Sequence, residues 1–127
     1  MLEPVISPAA PPPAGPYSPG IVHGDLLFLA GQGPFDSAGN RVGESFADQV
    51  RQTFRNLQAV AEAAGGSLHD AVRVGVYLKD LADFAVLNEV SREFLTEPYP
   101  ARTTIRVGLS GFDVEIDAIV ALPAGRP

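Results

Sequence analysis

The sequence predicts an α+β fold of two layers, with two helices covering one face of a β-sheet. Two observations carry this reading. Phe46, Val50, Phe54, Leu57, Val60, Ala61 and Ala64 recur at helical spacing, and so do Leu81, Phe84, Leu87, Val90 and Phe94, so each segment forms a single apolar stripe. Short apolar or alternating stretches precede, separate and follow these stripes, as strands do. At 127 residues with 46% hydrophobic content, the chain makes one domain with a filled core. Two helices with one stripe each cover one sheet face and leave the other open. That open face is expected to carry Arg73, Tyr77, Arg102, Thr104 and Glu115.

The elements follow in order. Pro4 to Pro19 holds seven prolines, which exclude a helix and disfavour a central strand. This piece is either a frayed tail or an extended arm lying across a surface. Ile21-Val22-His23 turns at Gly24-Asp25 into the apolar run Leu26 to Ala30, a bounded hairpin. Gly31-Gln32-Gly33-Pro34 breaks the pattern, and Asp36 to Asn40 is turn chemistry, with a short extra strand near Arg41-Val42. Ser45 opens the first helix with Asp48 three residues on, and Gly65-Gly66 stops it. From Ala71 to Leu78 the chain alternates, with Val72, Val74, Val76 and Leu78 inward. Asp80 is the expected cap of the second helix, whose Phe84 and Phe94 belong to the core and which ends before Pro98.

The last two strands, Ala101 to Val107 and Asp113 to Ala118, carry charge among apolar residues and flank the turn-like Gly108-Leu109-Ser110-Gly111. If they pair as a hairpin centred there, Thr104 faces Glu115 and Arg102 faces Asp117. Arg102 and Glu115 are then diagonal neighbours, roughly 7–8 Å apart at the backbone. Opposite charges across a solvated hairpin are common and each contributes under ~1 kcal/mol. The same pair has room for a small anion on the guanidinium and a water on the carboxylate. Glu115 with Asp117 is also readable as a paired-carboxylate site, though nothing in the sequence puts a sugar pocket beside it.

Several function classes are excluded or disfavoured. A net charge of −6 with scattered arginines argues against a sequence-independent grip on nucleic acid. The absence of cysteine removes disulfides, thiol catalysis and cysteine-based metal sites. His23 and His69 have no partners at metal spacing. Gly31-Gln32-Gly33 is too short for a dinucleotide fingerprint, and Gly108-Leu109-Ser110-Gly111 is no nucleophile elbow. No apolar run is long enough to span a membrane and no signal peptide is evident, so a soluble cytoplasmic protein is the expectation.

Pro100-Ala101-Arg102-Thr103-Thr104 with Val114-Glu115-Ile116-Asp117-Ala118 resembles the C-terminal signature of the reactive-intermediate deaminase family, Rid or YjgF. Gly15-Pro16-Tyr17-Ser18, Leu29-Ala30-Gly31-Gln32, and Val76 to Phe84 with Asn88 resemble three further elements of it, in order. The resemblance covers about Gly15 to Ala121. It implies a chorismate-mutase-like two-layer sandwich with a mixed sheet, residues 1–14 forming a Pro-rich arm before a single Rid-like domain at 15–127. It also implies a homotrimer with active sites in the clefts between subunits. The implied reaction is hydrolysis of enamine and imine intermediates such as 2-aminoacrylate and 2-iminobutyrate to 2-keto acids and ammonia. Arg102 would hold the substrate carboxylate by its fork and Glu115 would position water. Gly31 would admit a polar substrate group to the backbone, and Tyr17, Asn88 and Thr104 would shape the pocket. Tyr17 is equally readable as an anchor for the arm, Gly31 as a turn residue, and Asn88 as a solvated helix residue. No cofactor or metal is needed, since the imine is already electrophilic.

The chain departs from the family pattern at Ala30, where serine is usual, and in a stretch from Arg102 to Glu115 about two residues shorter than common. A two-residue deletion preserves face parity, so the expectation is that both side chains still share a face. Relatives of this fold include aminomuconate deaminases and aminoacrylate-peracid-processing enzymes. Two other functions compete: a non-catalytic trimer sensing small 2-keto or amino acids, and an endoribonuclease or translation inhibitor, which the net charge disfavours.

Overall fold

The computed structural model describes residues 1–125. Eight elements follow in chain order: β1 (Glu3–Val5), β2 (Gly20–His23), β3 (Leu26–Gln32), α1 (Phe46–Ala63), β4 (Ala71–Leu78), α2 (Phe84–Phe94), β5 (Ala101–Arg106) and β6 (Val114–Ala121). The six strands form one sheet in the order β1-β2-β3-β6-β4-β5. Only β4 and β5 run parallel, joined through α2; the other neighbours are antiparallel. The sheet is therefore mixed, and both helices pack on one face of it, the α+β arrangement expected.

The core lies between these layers. On β6 the residues alternate, with Val114, Ile116, Ala118 and Val120 buried and Glu115, Asp117, Ile119 and Ala121 half-exposed on the open face. Phe54, Leu57 and Val60 of α1 and Leu87 and Val90 of α2 close over the buried face. Ser45 caps α1 by accepting the Asp48 N–H at 3.1 Å. The proline-rich stretch lies against the body: β1 extends the sheet beside β2, and Val5 and Ala10 are buried.

The structure corrects the expected pairing of the last two strands. β5 and β6 form no hairpin, because β4 lies between them. The connecting loop straddles the end of β4: Val107 N–H donates to the Leu78 carbonyl on one side, and Lys79 N–H donates to the Asp113 carbonyl on the other. The cause is visible in composition. Ala101 to Arg106 is polar and almost wholly exposed, which suits an edge strand, whereas β4 and β6 bury an apolar row and take central places.

Register then reverses the face assignment. Arg102 pairs with Val74 and Thr104 with Val76, so both point toward the helix layer. Glu115 pairs with Tyr77 on the open face. Arg102 and Glu115 stand on opposite faces of the sheet within one chain. Smaller corrections have local causes. Val72 is exposed because a register irregularity between Ala71 and Arg73 turns it out of the core. Asp80 caps a 3₁₀ turn at Leu81–Asp83 rather than α2 itself. Phe84 is exposed instead of core, lying at the start of α2 beneath the β5 edge, whereas Phe94 stacks on Phe54 at 5.1 Å. Near Arg41 a single bridge to Phe35 replaces the extra strand.

Candidate functional site

Two clusters contain the residues singled out in the sequence, one on each side of the sheet. The first lies where α2 faces the free edge of β5. Ser91 and Arg92 lie three and four residues beyond Asn88, and Leu95 four beyond Ser91, so these residues project from one side of the helix and its end. Opposite them stand Tyr99, Pro100 and Arg102, enclosing an open cavity of about 300 Å³. Among the described residues no strand lies beyond β5, so the Arg102 side chain has room to reach this space. Its guanidinium carbon stands 5.3 Å from the centre of the Phe84 ring, a cation–π contact. Partial burial holds the guanidinium below the usual arginine pKa, yet it stays charged at any working pH. Among the described residues Arg102 has no salt bridge. Two positions along the same strand face, the Thr104 hydroxyl is buried and has no hydrogen-bond partner. A buried unpartnered hydroxyl costs on the order of 1–3 kcal/mol, so the site is poised to take a polar group.

The second cluster lies on the open face. Two buried polar side chains of α1 position it. Gln49 fixes the approach to β6 by donating to the Asp113 carboxylate at 3.0 Å and accepting the Asp113 N–H at 2.9 Å. Asn56 donates to the carbonyls of Gly33 and Phe35 and so holds the exit from β3. Between Leu29 and Gln32 the β3–β6 register shifts, which brings Gly31 against Glu115. A Cβ on Gly31 would sit 2.7 Å from Glu115 Oε2. Glu115 is half-buried and, among the described residues, makes no salt bridge. Burial, and then the nearby Asp117 charge, raise its carboxyl pKa above the ordinary value. Asp117 in turn accepts a hydrogen bond from the Tyr77 hydroxyl at 2.8 Å.

Tyr17 belongs to the arm next to this second cluster. The Pro19 carbonyl accepts the Ala30 N–H at 3.0 Å, so the arm enters the sheet beside Gly31. The Tyr17 ring is half-exposed, and its hydroxyl accepts the Ala14 N–H at 3.1 Å. The structure thus brings Asn88, Arg102 and Thr104 to one side and Gly31 and Glu115 to the other, with Tyr17 on the arm two residues before the Pro19 carbonyl that pairs with Ala30. For Ser91, Arg92 and Leu95 the only signal in the sequence is helical spacing from Asn88, whereas Tyr99 heads the segment that carries Arg102. No group of three or more His, Cys, Asp or Glu side chains able to hold a metal exists among the described residues. None of the described helices is long and apolar enough to cross a membrane.

The closeness of Gly31 to Glu115 gives a first prediction. Gly31 has no positive φ, so alanine meets no backbone strain there. Gly31→Ala is expected to keep the fold, with a thermal midpoint within a few degrees of wild type, while displacing the carboxylate. If the protein has the imine-hydrolysing activity that its sequence resemblance implies, that turnover should fall at least about tenfold, the equivalent of ~1.4 kcal/mol. Wild-type turnover in Gly31→Ala would mean that the placement of this carboxylate is immaterial.

Comparison with known proteins agrees with this architecture. Residues 7–122 match the family described as Endoribonuclease L-PSP. A RutC family protein of Pyrococcus horikoshii is 47% identical over 122 residues, spanning 94% of this chain and 97% of its own. A protein of Salmonella typhimurium named 2-iminobutanoate/2-iminopropanoate deaminase is 36% identical over 120 residues, spanning 92% of this chain and 94% of its own. The crystal structure of RidA from the Antarctic bacterium Psychrobacter superposes with a TM-score of 0.89 at 42% identity, covering 94% of this chain and 99% of that one. With four sequence elements in order, a two-helix layer on a six-stranded mixed sheet and these relatives, the chain belongs to the Endoribonuclease L-PSP family, the YjgF/RutC/Rid family.

Proposed function

We propose that the protein hydrolyses small 2-imino acids and their enamine tautomers to 2-keto acids and ammonia, at sites completed between copies of the chain in a homotrimer. One observation carries this reading. The cation suited to a carboxylate and the carboxylate suited to a water lie on opposite faces of one sheet. Neither cluster is a whole site. A ring of copies in which the open face of one meets the β5 edge of the next joins Arg102, Asn88 and Thr104 to Gly31, Glu115 and Tyr17. The deaminase name carried by a relative at 36% identity supports the reaction class.

In this reading Arg102 takes the substrate carboxylate through two parallel charge-assisted bonds. The orphan Thr104 hydroxyl and the Asn88 amide fix the rest of the substrate's polar edge. Glu115 holds a water against C2. As the water oxygen bonds to C2, the C=N pair moves to nitrogen and Glu115 takes the water proton. It then returns that proton to the amine of the carbinolamine. As the C–N bond breaks and its pair leaves with ammonia, the hydroxyl O–H pair closes the carbonyl. Glu115 takes the hydroxyl proton and passes it to the ammonia, which departs as ammonium. A carboxyl whose pKa is raised by burial suits both halves of this exchange. The substrate needs no activation beyond its own protonated nitrogen. The net charge of −6 and the carboxylates of the open face offer no track for a phosphate backbone, so RNA cleavage has less support.

The test has two parts. Light scattering in dilute buffer should give about three times the chain mass of 13.3 kDa. Generating 2-iminobutanoate in situ and following loss of its semicarbazone should then show faster hydrolysis with protein present. A monomer at micromolar concentration contradicts the composite site. A trimer that binds 2-ketobutyrate but leaves imine decay unchanged is a sensor.

A further inference from the structure

We infer that the cavity at Arg102 is built for a substrate with a second anionic group, a 2-imino dicarboxylate, and that Arg92 is the residue that selects it. The inference rests on the deaminase reading and deepens it. In a chain of net charge −6, this cavity is lined by two arginines and no acidic residue. Arg92 stands one helical turn beyond Asn88, on the side of α2 that faces Arg102 across the cavity. Neither arginine has a salt bridge among the described residues. The neighbouring Glu93 is already held by Arg51 through two bonds of 3.0 and 2.9 Å. Two arginines that line one space with no ion pair of their own leave it positive, and a substrate with a carboxylate at each end supplies a partner for each.

Size agrees with charge. A volume of about 300 Å³ holds on the order of ten waters, more room than a four-carbon monocarboxylate fills. Leu95 and Tyr99 also line the cavity and suit the methylenes of a longer chain. A mere counter-charge for the α2 C-terminus would not require Arg92 to line the cavity.

The test compares 2-oxobutanoate with 2-oxoglutarate, the products of the monocarboxylic and dicarboxylic imines. Binding is measured by calorimetry and hydrolysis with the imines formed in situ. Wild type should bind 2-oxoglutarate about tenfold more tightly or better, with a preference that shrinks as salt rises. Arg92→Gln should erase the ratio between the two ligands, and Arg92→Lys should keep part of it, since charge survives without the fork. A wild-type preference for 2-oxobutanoate, or a ratio unchanged in Arg92→Gln, overturns the assignment. So does a parallel loss for both ligands, the mark of a structural role. If the ratio behaves as stated but no imine is hydrolysed, the dianion site stands and the deaminase reading fails. If imines are hydrolysed with no preference, the reverse holds. Binding of neither acid overturns both.

Discussion

Arg102→Ala and Glu115→Gln are each expected to be inactive alone and to recover activity when mixed. In the proposed site, Arg102→Ala removes two charge-assisted bonds to the substrate carboxylate. At about 1.5–3 kcal/mol each, their loss lowers kcat/KM at least a hundredfold. Arg102→Lys should remain strongly impaired, because charge survives but the fork does not. The two residues sit on opposite sheet faces, so a site formed between copies takes them from different chains. Unfolding the two variants together and refolding them gives rings in which some junctions join an intact Arg102 to an intact Glu115. For random assembly at equal amounts, about one junction in four is complete, and about a quarter of the wild-type rate should return. Co-refolded samples as dead as either parent would place both residues in one chain's site and contradict the face assignment. Light scattering on each variant controls for loss of assembly.

The face assignment also shows where sequence reasoning succeeded and where it failed. The helices were legible because their stripes are continuous and their ends are signalled by Ser45 and Gly65-Gly66. The alternation of β6 was legible too, since Val114, Ile116, Ala118 and Val120 are all buried. Pairing was not. Two short strands around a Gly-Ser turn look like a hairpin, and only a strand already seated between them forbids it. β4 takes that seat because it must bury Val74, Val76 and Leu78, while Ala101 to Arg106 has little to bury. Arg102 and Glu115 each alternate within their own strand as read. Their relation depended on a partner strand nearly thirty residues upstream of Arg102. Phe84 was misplaced for a related reason: it lies at the end of an apolar stripe, but the edge strand above it presents Arg102 rather than another apolar residue. The cavity residues on α2 were within reach, because Ser91, Arg92 and Leu95 follow from Asn88 by helical spacing alone.

Glu115→Gln is expected to separate chemistry from binding, and pH should separate Glu115 from its neighbours. Glutamine keeps the shape beside Gly31 but accepts no proton from water. Losing a positioned general base costs about 10²–10⁴ in rate. Affinity for a 2-keto acid should change little, since Arg102 still anchors the carboxylate. In the proposed mechanism the base works ionised, and burial with the Asp117 charge raises the pH at which Glu115 ionises. As pH falls through that raised pKa the carboxylate protonates and kcat/KM drops, so the acid limb lies above the pH at which an unperturbed glutamate would put it. Asp117→Asn removes the second of the two causes while leaving an oxygen to accept from the Tyr77 hydroxyl. It should move the acid limb to lower pH without abolishing activity. Glu115→Gln should remove the limb together with the rate. An acid limb that ignores Asp117→Asn, or that persists in the residual activity of Glu115→Gln, would assign the titration to another group. Retained rate in Glu115→Gln would reduce this residue to a half-buried charge on the open face, and the water would need a different holder.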